Sequence, residues 1–508
     1  MSSTHAEAAN GEESVTSINT VAGTGAAAFK GENEPAVSAQ LNRPYGVAVD
    51  SNGTLYVSDY NNHRVRKITT DGKISTVAGT GAAGYRGDNG PAVSAQLNCP
   101  REVVVDGAGA LYIVDANNHR VRKVTADGTI STVVGTGTAG FSGDGGPATA
   151  ARLNLPLGVA VDRTGVLYVS EYHNHRVRRV TADGEISTVA GAGPAGFKGD
   201  GGPAASAHLR NPHGLAVDGE GNLYIADANN HRVRKVAVDG TISTVAGTGS
   251  GGFGGDGGPS SSAQLNLPLG VVVDSTGALF VSDHRNHRVR KVAVDGTIST
   301  VVGTGSGGFG GDGGPSSSAQ LNMPFGLTVD CVDALYIADH ANNRVRKVAS
   351  ARMAGLPESG TVVSWANVRS RLRMAVQRES AKDGAEIHQT LATSRDGQRW
   401  RMIAAGQDNG DVLYRIENVR SGKVLEVVGA QVMAGAVVAQ RAYEGNDAHH
   451  QQWRLIPVGS VNGGPQVYEL ANRNSGLLLR VDTNARAALR QHGAEGDHRE
   501  RQWQLLPV

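Results

Sequence analysis

Short apolar or alternating segments, separated by turn residues, follow one another along the first two-thirds of the chain. In the copy that runs from residue 41 to 79, such segments occupy 46–50, 55–59, 64–68 and 74–78. Ser51-Asn52-Gly53 and Asp71-Gly72 supply turn chemistry, and Asp-Gly is a strong hairpin signal. Each copy is therefore predicted to form four antiparallel strands.

The copies recur at a constant interval of 56 residues, without insertions. The string Asn-His-Arg-Val-Arg marks five of them, and a sixth copy is centred on Asn343 at the same interval; the five marker residues are His63, His119, His175, His231 and His287. Four-stranded units repeated at a fixed period are typical of the blades of a β-propeller.

The fourth-strand string Ile-Ser-Thr-Val does not recur after the sixth copy. It starts in the other copies at Ile74, Ile130, Ile186, Ile242 and Ile298. A matching segment instead occurs near the N-terminus, at residues 18–22. We predict that this segment supplies the missing outer strand, which would close the ring without an exposed edge. The prediction is a six-bladed propeller over 18–349, preceded by a disordered tail at 1–17.

The remaining third of the chain carries a looser repeat with a different composition. Trp400, Trp453 and Trp503 each follow a short Gln- or Arg-containing string, and each precedes an apolar strand. Three all-β units with one buried Trp each indicate a β-trefoil at 360–508, joined by a linker at 350–359. The whole chain is predicted to be all-β.

The strings Asp-x-x-Asn-His-Arg-Val-Arg and Gly-Val-Ala-Val-Asp resemble the NHL-repeat family over 41–347. The resemblance implies a protein-interaction platform, an RNA binder, an amidating lyase or a lactonase-like hydrolase. It does not choose among them, because function depends on sites carried by the fold.

The three Gln-x-Trp-like strings make the C-terminal part similar to the ricin-B lectin family. That resemblance implies a weak sugar site in the middle unit, with Glu426 in place of the usual Asp, Tyr443 as the aromatic residue, and His450 with Gln451. The matching positions near Ala375 and Thr390 in the first unit, and near Arg480 and Gly493 in the third, are expected to be inactive.

A ligand site on the propeller is best sought where the copies differ. At the start of the innermost strands the differing residues are Tyr45, Arg101, Leu157, His213, Leu269 and Phe325, and Glu102 replaces a Gly found in the other copies. Loops on the same face contribute further differing residues: Tyr60, Tyr172, His173, His284, Arg285 and His340. We expect the aromatic, His and Arg residues of both sets to line the mouth of the central channel as a ligand site.

The five marker histidines are not predicted to bind a metal. Strands spaced about 4.8 Å apart place a third strand roughly 15 Å from the axis, whereas Zn–N bonds are about 2 Å long. These histidines are expected to connect neighbouring blades. No cofactor is predicted, with zinc at the mouth kept as an alternative.

Gly-rich loops that carry one acidic residue recur between the blades, with Glu32 in the first copy and Asp88, Asp144, Asp200, Asp256 and Asp312 in the others. The Asp is expected to cap its own turn. Calcium binding at these loops is the alternative, because carboxylate and carbonyl oxygens are its usual ligands.

Charge and cysteine content narrow the function classes. Lys and Arg total 48 against 47 Asp and Glu, so no nucleic-acid partner is expected. There is no membrane-spanning run and no secretory signal at 1–17.

The cysteine content favours a cytoplasmic location, because the chain has only Cys99 and Cys331 and these are not expected to pair. Non-classical export and cell-surface delivery are the alternatives. Richness in Ala, Gly and Arg favours a bacterial origin.

Three functions are compatible with these features. The first is a non-enzymatic binding protein, with a protein or polymer partner on the propeller face and a glycan on the trefoil. The second is a lyase or hydrolase with its site in the propeller mouth. The third is a structural subunit of a larger assembly. Nearly identical blades and the lack of paired carboxylates at the mouth favour binding.

Overall fold

The computed structural model describes residues 16–51, 53–349, 356–368, 370, 372–392, 396–408, 411–434, 436–445, 448–460, 466–480, 489–492 and 501–507. Most of the predicted tail, residues 350–355 of the predicted linker, and Gly493 lie outside these ranges. The described part is all-β, with short 3-10 turns between strands.

Six four-stranded antiparallel sheets form the propeller, and three of them carry a short fifth strand at the outer edge. The strands, in chain order from the first blade, are Pro44–Val49, Leu55–Asp59, Arg64–Ile68, Lys73–Ala78; Pro100–Val105, Leu111–Asp115, Arg120–Val124, Thr129–Val134; Pro156–Val161, Leu167–Glu171, Arg176–Val180, Glu185–Ala190; Pro212–Val217, Leu223–Asp227, Arg232–Val236, Ile242–Ala246; Pro268–Val273, Leu279–Asp283, Arg288–Val292, Ile298–Val302; Pro324–Val329, Leu335–Asp339, Arg344–Val348. The fifth strands are Glu34–Pro35, Gly90–Pro91 and Gly146–Pro147.

The sixth blade is completed by the N-terminal strand Ile18–Ala22, as predicted. This strand pairs antiparallel with Arg344–Val348, with Ile18 opposite Val348. Ile18 and Ala22 are fully buried. Thr16 and Ser17, which were predicted to belong to the tail, already contact the rim of this blade at Ser316 and Pro315.

The marker histidines join each blade to the next. His63 has a left-handed backbone, and its Nδ1 accepts a hydrogen bond from the backbone N–H of Cys99, 3.1 Å away, just before the next inner strand. The other four histidines make the same bond. In the sixth copy, Asn343 Oδ1 accepts from Arg43 N at 2.9 Å. These residues therefore act as inter-blade connectors.

The acidic residues of the Gly-rich loops also have a structural role. Each third strand buries one arginine completely: Arg66, Arg122, Arg178, Arg234, Arg290 and Arg346. In the second blade, Arg122 reaches Asp88 of the connecting loop at 2.5 Å and the buried Asp115 at 3.3 Å. Asp88 also accepts from Thr132 at 2.7 Å. The loop carboxylates thus pair with core arginines of the following blade, and the predicted capping of their own turn is not their main role.

We expect acid to weaken the ring through these histidines. Burial lowers the pKa of His63, His119, His175, His231 and His287, and only the neutral ring accepts the N–H bond. A folded pKa below the unfolded value of about 6.5 means that this stabilisation is complete above pH 6.5 and lost as the pH falls. Thermal melting at pH 7.5 and 5.5 should therefore show a pH-dependent loss that shrinks when all five histidines become asparagine.

Asparagine is a suitable replacement, because Asn343 already accepts the equivalent hydrogen bond in the sixth blade. A single His175→Asn variant should melt near the wild type, whereas His175→Leu should lose about 1 kcal/mol, the typical value of one hydrogen bond. An identical pH response in the wild type and the five-asparagine variant would contradict the prediction. Buried carboxylates affect both proteins equally and cancel in the comparison.

The C-terminal domain is a β-trefoil of three four-stranded units, with strands Val362–Asn367, Arg373–Val376, Ala385–Thr390, Trp400–Asp408; Asp411–Asn418, Val424–Val427, Val438–Arg441, Trp453–Ser460; Gln466–Asn472, Leu478–Arg480, Arg490–His492, Gln502–Pro507. The three predicted tryptophans are fully buried. Each indole N–H donates to a backbone carbonyl of its own unit, at 3.0–3.1 Å. The equivalence of the three units is confirmed.

The trefoil packs against one divergent turn of the propeller. In the sixth blade, the turn between the first two strands reads Cys331-Val332-Asp333, where other copies have small or polar residues and Gly. Val332 is buried in an apolar cluster that continues into the trefoil, and Gln407 donates to Asp333 Oδ2 at 3.1 Å. This turn lies at the end of the inner strand opposite the mouth, so the trefoil leaves the mouth open.

Candidate functional site

An aromatic cluster forms where the inner strands begin. The ring centroids of Tyr45 and Phe325 are 4.2 Å apart, and the His213 ring stacks on Tyr45 at 5.6 Å. The Arg101 guanidinium lies 4.7 Å from the centre of the Tyr45 ring and 5.1 Å from that of Tyr60. Side chains from different blades therefore meet at the axis, as the repeat predicted.

A hydrogen-bond chain orders this cluster. Arg101 Nη1 donates to Tyr45 Oη at 2.6 Å, so the Tyr45 hydroxyl donates its own proton to His213 Nε2 at 2.5 Å. His213 must then carry its ring proton on Nδ1. Burial holds the pKa of His213 well below its usual value. His213 is therefore a neutral acceptor that fixes the Tyr45 hydroxyl.

Two further histidines flank Phe325. The rings of His284 and His340 lie 4.5 and 4.4 Å from its centroid. Each donates Nδ1–H to a proline carbonyl of the adjoining inner strand at 3.1 Å. Burial lowers the pKa of both rings to about 4. Among the described residues, no three His, Cys, Asp or Glu side chains are grouped so as to hold a metal ion.

Beside this cluster a pocket of about 670 Å³ opens to the mouth face. Seven of the ten predicted mouth residues line it: Tyr45, Arg101, Tyr172, His213, His284, Arg285 and Phe325. Tyr60 and His340 lie behind them, in contact with Arg101 and Phe325. His173 makes an edge contact with Tyr172 at 5.0 Å and is not part of the lining.

Part of the pocket lining was not predicted from the sequence. Leu155 and Leu267 join the divergent leucines Leu157 and Leu269 as an aliphatic wall, and Arg210 adds a third guanidinium. Arg210 occupies a position that is asparagine in the other copies. This difference between the copies could have identified Arg210 from the sequence. Arg210 was missed because it lies just before the inner strand, and only the strand start was considered.

Glu102 points away from the pocket. It lines a separate cavity of about 160 Å³ in the central channel, among valines and leucines of the inner strands. The other copies have Gly here because the inner strands approach closely; a Cβ at Gly158 would lie 2.2 Å from the His213 carbonyl oxygen. Burial raises the pKa of Glu102 to about 8.

The middle unit of the trefoil brings three of its four predicted residues together. Glu426 is buried, and its carboxylate accepts from Gln451 Nε2 at 3.3 Å, with His450 Nε2 at 3.6 Å. Arg441, which was not predicted, forms an ion pair with Glu426 at 2.8 Å. Tyr443 packs under the Arg415 guanidinium at 4.4 Å. Glu426 therefore positions the more exposed side chains around it.

The expectation of an inactive site in the first unit stays a prediction, although this unit also contains a cavity. A cavity of about 580 Å³ lies there, lined by Ala375, Thr390, Arg378, Glu379 and His388 among others. The strand register aligns Thr390 with Arg441, since they pair with Arg373 and Val424 at equivalent places. In the third unit Arg480 ends a strand.

Family comparisons agree with the predicted folds of both parts of the chain. The NHL repeat matches residues 41–68, 153–180, 209–236 and 265–292, and the teneurin NHL domain matches 80–142. The ricin-type β-trefoil lectin domain-like family matches 352–441 and 396–492. The chain therefore carries NHL repeats in a six-bladed propeller, followed by a β-trefoil that matches the ricin-type lectin domain-like family.

The curated relatives that this chain matches are much longer. Human Teneurin-4 is 29% identical over 360 residues, covering 60% of this chain and 12% of Teneurin-4. Protein SUPPRESSOR OF QUENCHING 1, chloroplastic, of Arabidopsis thaliana is 28% identical over 268 residues, covering 50% of this chain and 25% of that protein. The chain therefore spans an eighth to a quarter of the length of these relatives.

A solved structure supports the propeller fold. A structural genomics protein of unknown function from Bacteroides thetaiotaomicron shares 21% identity, with a TM-score of 0.50, over 66% of this chain and 76% of that chain. The part of the chain that is described contains no helix long and apolar enough to cross a membrane.

The combination of the two domains indicates a binding or interaction role.

Proposed function

We propose that this protein is a non-enzymatic binding protein. Its propeller mouth is the platform for a ligand or protein partner, and its trefoil is a weak carbohydrate-binding module. The observation that carries the proposal is the convergence on one open pocket of seven side chains from positions that differ among the copies. Repeat positions that serve only the scaffold are occupied by the same residue types from blade to blade, as in the six buried arginines.

The state of the mouth histidines supports binding over catalysis. A general acid or base works best with a pKa near the operating pH. His284 and His340, with pKa values of about 4, are neutral near pH 7, and each uses its Nδ1–H to bond a proline carbonyl. His213 Nε2 is already occupied by the Tyr45 hydroxyl. These three rings act as fixed polar walls.

The carbohydrate module is proposed for the middle unit of the trefoil. Arg441, Glu444 and His450 surround the buried Glu426 and leave polar atoms at the surface, with His450 Nε2 3.7 Å from Glu444. Alternating donors and acceptors suit sugar hydroxyls, and Tyr443, whose ring packs against the Arg415 guanidinium, is the aromatic residue of the proposed module. One such site gives low affinity unless the ligand is multivalent.

A glycan array with the full chain tests this module. We expect binding of the wild type to a restricted set of glycans, and a loss of at least about tenfold in Tyr443→Ala and in Glu426→Ala, because a ring contact or the positioning carboxylate is removed. His388→Ala, in the cavity of the first unit, is the matched control and should bind as the wild type does.

Two results would contradict this assignment. No glycan binding by the wild type would remove the carbohydrate role. Unchanged binding by Tyr443→Ala together with loss in His388→Ala would move the site to the first unit.

A further inference from the structure

The lining of the mouth pocket is positively charged. Three arginines line it: Arg101, Arg210 and Arg285. Each is the only arginine at its position among the six copies. These three arginines thus occupy three different positions of the repeat, in three different copies. All three nevertheless place a guanidinium at the same pocket.

These three arginines differ from the core arginines in their partners. Arg122 in the core pairs with two carboxylates, as do its five equivalents. Within the described ranges, none of the three mouth arginines forms an ion pair with Asp or Glu, and no acidic side chain lines the pocket. Arg101 is partly buried, and its Nε has no hydrogen-bond partner among the described residues. A buried donor without a partner is costly.

Part of the remaining lining is apolar. The buried leucines Leu157 and Leu269, together with the rings of Tyr45 and Phe325, form an aliphatic and aromatic floor. The volume of about 670 Å³ lies within the 300–1,000 Å³ typical of small-molecule sites. A pocket with cationic groups at its rim and an aliphatic and aromatic floor suits a ligand that has an anionic end and an apolar end.

We propose that the mouth pocket binds a small organic anion, with a carboxylate or phosphate head held by Arg210 and Arg285 and an apolar body on the leucine and aromatic floor. Arg101, held in place by Tyr45, provides the third guanidinium at the deep end of the head-group site. This inference rests on the proposed role of the mouth as a ligand platform, and it adds the chemical class of the ligand.

Matched probes test the requirement for charge in the wild-type chain. Isothermal titration calorimetry would compare 4-phenylbutyrate and 4-phenylbutyl phosphate with 4-phenylbutanamide, which has the same body without charge. We expect at least one anion to bind about tenfold or more tightly than the amide, since hydrogen bonds to charged groups are the stronger ones. Equal binding of anions and amide, or no binding of either anion, would overturn the proposal.

Variants then test the location. Arg210→Gln and Arg285→Gln should each weaken anion binding by about fivefold or more, while Arg43→Gln, an exposed mouth-face arginine that does not line the pocket, should leave it unchanged. Equal loss in Arg43→Gln would overturn the location. Circular dichroism checks that each variant is folded.

The same samples separate the two proposals. NMR signals of new products from a bound anion would overturn the non-enzymatic function and leave the anion site intact. Loss of the difference between anion and amide would overturn the anion site and leave the glycan-binding role of the trefoil unaffected.

Discussion

Deletion of residues 1–22 should destabilise the propeller more than any single substitution in a mouth residue. The deletion removes the strand Ile18–Ala22, which is the outer strand of the sixth blade. Full burial of Ile18 contributes about 2 kcal/mol, and each lost ladder hydrogen bond adds about 1 kcal/mol. We therefore expect a loss of about 4 kcal/mol or more, measured by urea unfolding.

The matched control is deletion of residues 1–15, which leaves the pairing of Ile18 with Val348 intact. This shorter deletion should unfold at the same urea concentration as the full chain. Removal of the strand also exposes the edge of Arg344–Val348, so the longer deletion should self-associate in light scattering. Equal stability of the two deletions would contradict the closure role of the strand.

Replacement of Arg122 by Met is expected to cost about 3–5 kcal/mol, because the buried Asp115 carboxylate loses its cationic partner. Arg122 and Asp115 are both fully buried, 3.3 Å apart. Burial already raises the pKa of Asp115 to about 6. Without the arginine, the folded state should bind a proton more tightly there, so the loss should be large at pH 8 and smaller at pH 5.

Two variants make this test specific. Lys123→Met removes a positive charge from the next position of the same strand, on its more exposed face, and should cost less than about 0.5 kcal/mol. Asp115→Asn added to Arg122→Met should recover part of the stability, since the orphaned charge is removed. A loss that stays equal at pH 5 and pH 8 would show that packing, not the unpaired carboxylate, sets the cost.

Much of the propeller could be predicted from the period alone. The four strands predicted for the first copy agree with the structure to within two residues at their ends. The closing strand could be predicted because one copy of the fourth-strand pattern lies near the N-terminus and not after the sixth copy. Such predictions succeed because strand alternation and turn chemistry are local, and all six copies carry the same pattern.

The loop carboxylates show where local patterns fail. Asp88 stands in a turn string, and a cap of its own turn is the local option. In the structure, Asp88 instead accepts a hydrogen bond from Arg122, which lies 34 residues later in the chain. A fully buried guanidinium needs compensation from carboxylates, and this need is visible only once the third strand is known to be inside the blade.

The trefoil site shows the same limit. Glu426, His450 and Gln451 were predicted together and lie together. Arg441 was missed, although it forms an ion pair with Glu426 from the adjacent strand. Cross-strand partners depend on register, and the register of a loosely repeated unit is not visible in its spacing of tryptophans.

The sequence by itself determined the number of blades, their order, the closing strand and the three-unit trefoil, because each depends on a period that can be counted. It also located most of the side chains at the mouth, since an inner-strand start must lie near the axis. Only the tertiary structure decided that Arg210 joins the predicted Arg101 and Arg285 in one pocket, and that Glu102 lines the channel instead. Side-chain direction depends on the packing of neighbouring blades, and that packing is set by contacts far apart in the chain.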